Sequence, residues 1–171
     1  MSAYFTDHWP VTLIAALGAL IVAGIGGALT EIGPWYHSLR FPRWKPPNWS
    51  FGPIWTVVLT LAGASAVLAW LASAPGQQRT VLVFLFVVNG VFNVLWNILF
   101  FTFRRPDWAL YETVFLWLSV LALVVFIAPI SPSASLLLAP YLIWVAIAGV
   151  LNRAIVRLNA PFPGRTETRT S

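Results

Sequence analysis

The chain has 171 residues, of which 59 % are hydrophobic, 15 % aromatic and only 9 % charged, with a net charge of +5 and a mean hydropathy of +0.81. A soluble domain carries about 25 % charged residues, so this composition speaks against a cytosolic globular enzyme and excludes a disordered chain. The absence of cysteine excludes disulfides, thiolate zinc sites and cysteine nucleophiles.

Stretches without charge mark candidate spans, each needing about 20 mostly apolar residues. The first runs from Trp9 to Thr30 and predicts a helix over about 10–30. The start of the chain has no basic n-region, so a cleaved signal peptide is not expected. A proline-rich loop over 31–50 follows. The second span is predicted over 51–72, with Ser50 as N-cap and Pro53 in the first turn. The third covers 80–103. The apolar run from Thr113 to Asn152 is too long for one span. Pro129 and Pro132 divide it, giving helices over 108–127 and 134–157. The expectation is an all-α membrane protein, a five-transmembrane-helix bundle forming one domain over residues 1–160. A polar tail over 161–171 is read as disordered.

Five spans place the termini on opposite sides. Arg79 is the lone basic residue on the N-terminal side; Arg40, Arg43, Lys45, Arg104, Arg105, Arg153, Arg157, Arg165 and Arg169 share the other. The positive-inside rule puts the C-terminus and the 31–50 loop in the cytoplasm and the N-terminus outside. The net charge is thereby read as a topology signal, and no nucleic-acid partner is expected.

The chain has ten tryptophans. Trp9, Trp70 and Trp108 lie at helix ends and read as an interfacial belt. Trp55, Trp96 and Trp144 lie inside spans. At 1.5 Å of rise per residue, Trp96 sits roughly 10 Å and Trp144 roughly 18 Å from the cytoplasmic helix ends. In the third span Asn89, Asn93, Trp96 or Asn97, and Phe100 share one face, as do Pro140, Trp144, Ala148 and Asn152 in the fifth. A single amide at such depth is as readily packing glue between helices. Several amides converging with large aromatics point to a ligand pocket. In the first span Ala15, Ala19, Ala23 and Gly27 form a small-residue stripe, suited to a seam inside the bundle or to a dimer face.

The loop from Glu31 to Trp55 interleaves Pro34, Pro42, Pro46, Pro47 and Pro53 with Trp35, Tyr36, Trp44 and Trp49. Prolines stiffen it, and its aromatics give it apolar mass, as a lid over the bundle's cytoplasmic mouth requires. Arg40, Arg43 and Lys45 would ring that mouth and suit an amphipathic ligand bearing carboxylates; contact with lipid phosphate is the alternative.

The segments Trp35-Tyr36, Phe41-Pro-Arg-Trp-Lys-Pro-Pro-Asn-Trp-Ser-Phe-Gly-Pro-Ile-Trp55, Asn89-Gly-Val-Phe-Asn-Val-Leu-Trp-Asn-Ile-Leu-Phe-Phe101 and Ala139-Pro-Tyr-Leu-Ile-Trp-Val-Ala-Ile-Ala-Gly-Val-Leu-Asn152 resemble the tryptophan-rich sensory protein and translocator protein family, also called the peripheral-type benzodiazepine receptor family. The resemblance runs from Trp35 to Asn159. It implies a five-helix bundle, often a homodimer, with a pocket for protoporphyrin IX, haem and synthetic isoquinoline-carboxamide or benzodiazepine ligands. Carried over residue by residue, it implies pocket roles for Tyr36, Trp55, Asn93, Trp144 and Ala148; with Trp44 and Trp96 these make the expected ligand-binding set. The sterol pattern of mammalian relatives is not matched, because Val150-Leu-Asn-Arg-Ala-Ile-Val-Arg157 lacks its tyrosine.

No metal site, triad or phosphate loop is legible, and no obligatory cofactor is expected; protoporphyrin IX or haem enters as ligand. His37, near the lid, is a candidate axial haem ligand or a solvated loop histidine. Glu112 is read as structural, paired with Arg104 or Arg105 near a helix start. The expected function is a tetrapyrrole-binding sensor or carrier in a bacterial inner membrane. The alternatives are light-dependent porphyrin breakdown, with Trp55 and Trp144 as electron donors, and transport of porphyrin or other lipophilic molecules. Proton-coupled transport is disfavoured because paired ionisable groups are lacking inside the spans.

Overall fold

The computed structural model describes residues 2–162. Its helices are α1 (Ser2–Leu29), α2 (Pro34–Ser38), α3 (Asn48–Ala72), α4 (Gln77–Asn97), α5 (Pro106–Ile127), α6 (Pro132–Leu136) and α7 (Ala139–Asn159); α4 runs on into a π-helical turn, Ile98–Thr102. Among the described residues there is no strand, and five helical stretches are long and apolar enough to cross a membrane: Trp9–Leu29, Asn48–Ala72, Gln77–Thr102, Pro106–Ile127 and Pro132–Asn159. The protein is an all-α, five-span membrane bundle. Most of the tail expected to be disordered, residues 163–171, lies outside the described residues.

Proline sets most of the boundaries. Pro34, Pro106, Pro132 and Pro140 occupy the first positions of their helices, where a missing N–H costs nothing. Pro47, extended at φ −61° and ψ 145°, is the residue before α3. That helix therefore begins three residues earlier than Phe51, and Ser50 is not its cap: the Ser50 hydroxyl donates to the Pro47 carbonyl at 2.8 Å. Gly76, at φ 93°, makes the turn into α4 in a conformation that L side chains resist. The last span is two pieces, because α6, with Ser131 as its N-cap, stops before Pro140 permits a new start.

The two ends of the bundle are packed differently. Away from the basic end, Ala69, Leu82, Leu123, Ile127, Ala134 and Leu138 pack into a solid core. Polar groups there satisfy one another, as an apolar surround demands: Ser65 donates to the Ala134 carbonyl at 2.7 Å, Ser135 to the Val124 carbonyl at 2.9 Å and Asn89 to the Ser119 hydroxyl at 2.9 Å. The outward faces carry exposed Ile14, Leu20, Phe84, Val91 and Val125, a surface suited to lipid.

Helix α1 lies over α3 and α4 through its small-residue stripe. A methyl group on Gly63 would sit 3.8 Å from both the Ala15 carbonyl and the Ala19 side chain, and one on Gly90 3.3 Å from Val22. The stripe is thus a seam within the bundle. At the basic end the packing opens, and the helices enclose a hollow.

Candidate ligand cavity beneath the lid

The hollow has a volume of about 390 Å³, within the ordinary range of small-molecule sites. Its floor and walls come from α3, α4, α5 and α7, one side from α1, and its roof from α2 and the lid. Tyr36, Trp55, Asn93, Trp96, Trp144 and Ala148 all line it. Trp44 does not: it is 51 % exposed and lies against Ala146, Ile147 and Val150 on the outer face of α7. The turn at Arg43 and Trp44 carries that indole away from the mouth, where it joins the half-exposed Trp9 and Trp108 and the 76 % exposed Trp49 at the periphery.

Aromatic edges and faces build the wall. The Trp55 and Trp144 rings meet edge-on at 6.5 Å, and Phe51 and Tyr141 meet Trp144 and Trp55 in the same manner at 5.7 Å and 6.0 Å. Trp96 stacks on Phe100 at 5.0 Å. Phe100 and the adjacent Phe101, both within the π turn, are buried against the cavity. The turn's signature is the Phe103 N–H donating to the Ile98 carbonyl at 2.9 Å.

The wall amides are committed to the frame. Asn93 donates to the Tyr141 hydroxyl at 2.9 Å, and Asn97 to the Asn93 carbonyl at 3.0 Å. Thr30 reaches Asn97 at 3.3 Å, which ties the end of α1 to α4. With its amide turned so that both ends are satisfied, Asn152 donates to the Pro106 carbonyl and accepts from the Leu110 N–H, both at 3.1 Å. Both groups lie in the first turn of α5, so one α7 amide ties the last span to the start of α5. Asn89, on the same α4 face as Asn93, does not line the cavity and pairs with Ser119. Trp144 Nε1 is buried without an acceptor among the described residues.

The lid is stitched down. Asn159 accepts from the Arg40 N–H at 2.8 Å and donates to the Arg40 carbonyl at 2.9 Å. Tyr36, whose hydroxyl burial pushes above its usual pKa, donates to Asn48 at 3.1 Å. Lys45 also donates to Asn48 and to the Pro46 carbonyl, and its ammonium is held below its usual pKa by desolvation.

Three expected pairings or roles find other arrangements. Glu112 meets neither arginine: Arg105 forks onto Asp107 at 2.8 and 2.6 Å, Arg104 lies over the Trp35 ring, and both Glu112 carboxyl oxygens are buried without a hydrogen-bond donor among the described residues. His37 is exposed and is not part of the cavity wall. Arg40 and Arg43 are exposed, and of the three lid cations Lys45 alone is turned toward the residues of the mouth. Among the described residues no cluster of three potential metal ligands occurs.

Sequence reasoning missed Phe41, Asn48, Phe51, Asn97 and the α1 contribution of Val22 and Gly26 as wall residues. Asn97 and Phe51 sat in segments already marked, one on the polar face and one in the aromatic loop. The small stripe was the available signal for α1, since residues that let a helix approach closely also let it wall a cavity.

A profile of the TspO/MBR family matches residues 11–158. Among curated proteins, the tryptophan-rich protein TspO of Archaeoglobus fulgidus is 37 % identical over 151 residues, covering 86 % of this chain and 97 % of that one. The tryptophan-rich protein TspO of Chlorobaculum tepidum is 33 % identical, over 87 % and 96 %. The translocator protein of Sus scrofa is 32 % identical, over 85 % and 90 %. By this match over most of its length and these identities, the chain belongs to the TspO/MBR family.

Proposed function

We propose that the protein binds a tetrapyrrole, protoporphyrin IX or haem, in the cavity beneath the lid and acts as a membrane sensor or carrier for it. The observation that carries this reading is the cavity itself: a hollow of about 390 Å³ whose wall brings together Tyr36, Trp55, Asn93, Trp96, Trp144 and Ala148 from four helices. A flat, apolar macrocycle gains most from aromatic walls with few polar groups. The amides are already paired, so the wall asks little hydrogen bonding of its occupant. The arrangement of the basic residues supports an orientation with the lid and the C-terminus cytoplasmic and the N-terminus outside, in a bacterial inner membrane. A homodimer, implied by the family resemblance, is part of the same proposal.

Titration of the full chain in nanodiscs with protoporphyrin IX, read by tryptophan quenching, tests the reading. Saturable quenching at one porphyrin per chain is expected, weakened several-fold in Trp144→Phe. Quenching that rises without saturation, as for partition into lipid, would remove the reading.

The edge-on pair of Trp55 and Trp144 at the cavity wall favours a second reading, in which photoexcited porphyrin takes an electron from an indole and is degraded in the presence of oxygen. Illumination of the complex, with a dark control, decides it. Loss of the Soret band that Trp55→Phe and Trp144→Phe leave unchanged would exclude the indoles as donors.

A further inference from the structure

One cation lies at the cavity mouth. The Lys45 Nζ stands 4.9 Å from the Phe41 ring centroid and 5.8 Å from those of Tyr36 and Phe51, and all three rings belong to the cavity wall. Aromatic faces attract an ammonium but do not neutralise it. Two of its three N–H groups go to the Pro46 carbonyl and to Asn48. No carboxylate pairs with it among the described residues, and no charged residue lines the cavity. Its neighbours in the lid, Arg40 and Arg43, face solvent. The site therefore has an apolar body and, at one edge, a single half-buried positive charge with donor capacity to spare.

We propose that Lys45 anchors a carboxylate of the ligand, so that the cavity selects amphipathic acids whose apolar body lies among the aromatics and whose carboxylate sits at the mouth. The proposal rests on the tetrapyrrole reading above and adds a specificity-determining residue to it. Asn48 completes the arrangement: it accepts from both Tyr36 and Lys45, which fixes the ammonium between the lid and the first turn of α3. Partial desolvation of the ammonium, seen in its lowered pKa, is a cost that an arriving carboxylate would offset. An ester of the same ligand would leave that cost in place.

The experiment compares protoporphyrin IX with its dimethyl ester, which keeps the ring and lacks the carboxylates. Binding is measured on the full chain in phosphatidylcholine nanodiscs, for the unaltered protein, Lys45→Met and Lys45→Arg. The acid should bind about tenfold more tightly than the ester, the scale of one charge-assisted hydrogen bond. Lys45→Met should abolish that preference while leaving ester affinity within about twofold of the unaltered protein, which also certifies the fold. Lys45→Arg should keep much of the preference.

Equal binding of acid and ester by the unaltered protein, or a preference that survives Lys45→Met, would overturn the anchor and leave the tetrapyrrole reading intact. Equal loss of both ligands in Lys45→Met would make Lys45 a lid latch and overturn the anchor as well. A preference erased by adding phosphatidylglycerol would assign the ammonium to lipid headgroup phosphate, again against the proposal. Binding of neither porphyrin form by the unaltered protein would remove the tetrapyrrole reading, and the anchor with it.

Discussion

Asn93 is at once a wall residue and a strut. Its amide donates to Tyr141, a fully buried tyrosine in the core beside Trp55. Truncation removes a buried interhelical hydrogen bond from that hydroxyl. Interhelical hydrogen bonds of this kind contribute about 1 kcal/mol in membranes, so Asn93→Ala should lower the thermal midpoint by roughly 2–4 °C; an unchanged midpoint would show the bond to be idle. The cavity-wall residues were legible where depth and helical face coincided, as for Trp55, Trp96, Asn93 and Trp144. Trp44 was misplaced because a loop has no periodicity to say which way a side chain turns. Asn48 was hidden for a related reason: it falls on the first helical turn of a segment whose prolines read as loop. Glu112 illustrates the limit of pairing by proximity in sequence. Asp107 stands two residues from Arg105 and takes the guanidinium in a two-point fork, leaving Glu112 inside the bundle.

At the scale of elements, hydropathy and proline located all five spans, because an apolar run of the right length has few other uses. Their ends were less legible. The Pro46-Pro47 pair holds the chain extended up to the first residue of α3, and the helix starts at once rather than waiting for a serine cap. The π turn left no trace in composition. Phe100 and Phe101 within it are both buried, and the sequence marks the turn no more strongly than any aromatic pair. The lid behaves as its prolines suggest, but its attachment depends on Asn159 at the far end of α7 meeting the Arg40 backbone. Contacts across 119 residues cannot be read from local pattern. The stripe on α1 left two uses open, and only the meeting of Ala15 and Ala19 with Gly63 resolves them in favour of an internal seam.

For the whole molecule, the division into a filled end and a hollow end places the cavity beneath the lid. The filled end holds the helices in register, which lets the other end stay open under the lid. The proposed cytoplasmic side for the lid rests on charge: seven of the described basic residues sit at that end and Arg79 at the other. The chain has no cysteine, so single cysteines report position cleanly. In whole cells of a bacterial host, a membrane-impermeant maleimide should label Gln78→Cys directly and Arg43→Cys only once the inner membrane is opened; the reverse pattern would invert the orientation. The hollow is tested most directly by filling it. Ala148 lines the cavity, whereas Ala146, two residues away, is exposed on the outer face of α7. Protoporphyrin IX titrations of Ala148→Leu and Ala146→Leu in nanodiscs, with thermal midpoints measured alongside, separate occupancy of the cavity from attachment to the surface. Ala148→Leu should weaken binding by about tenfold or more while Ala146→Leu binds as the unaltered chain does; equal affinities for the two variants would contradict a ligand seated in the cavity.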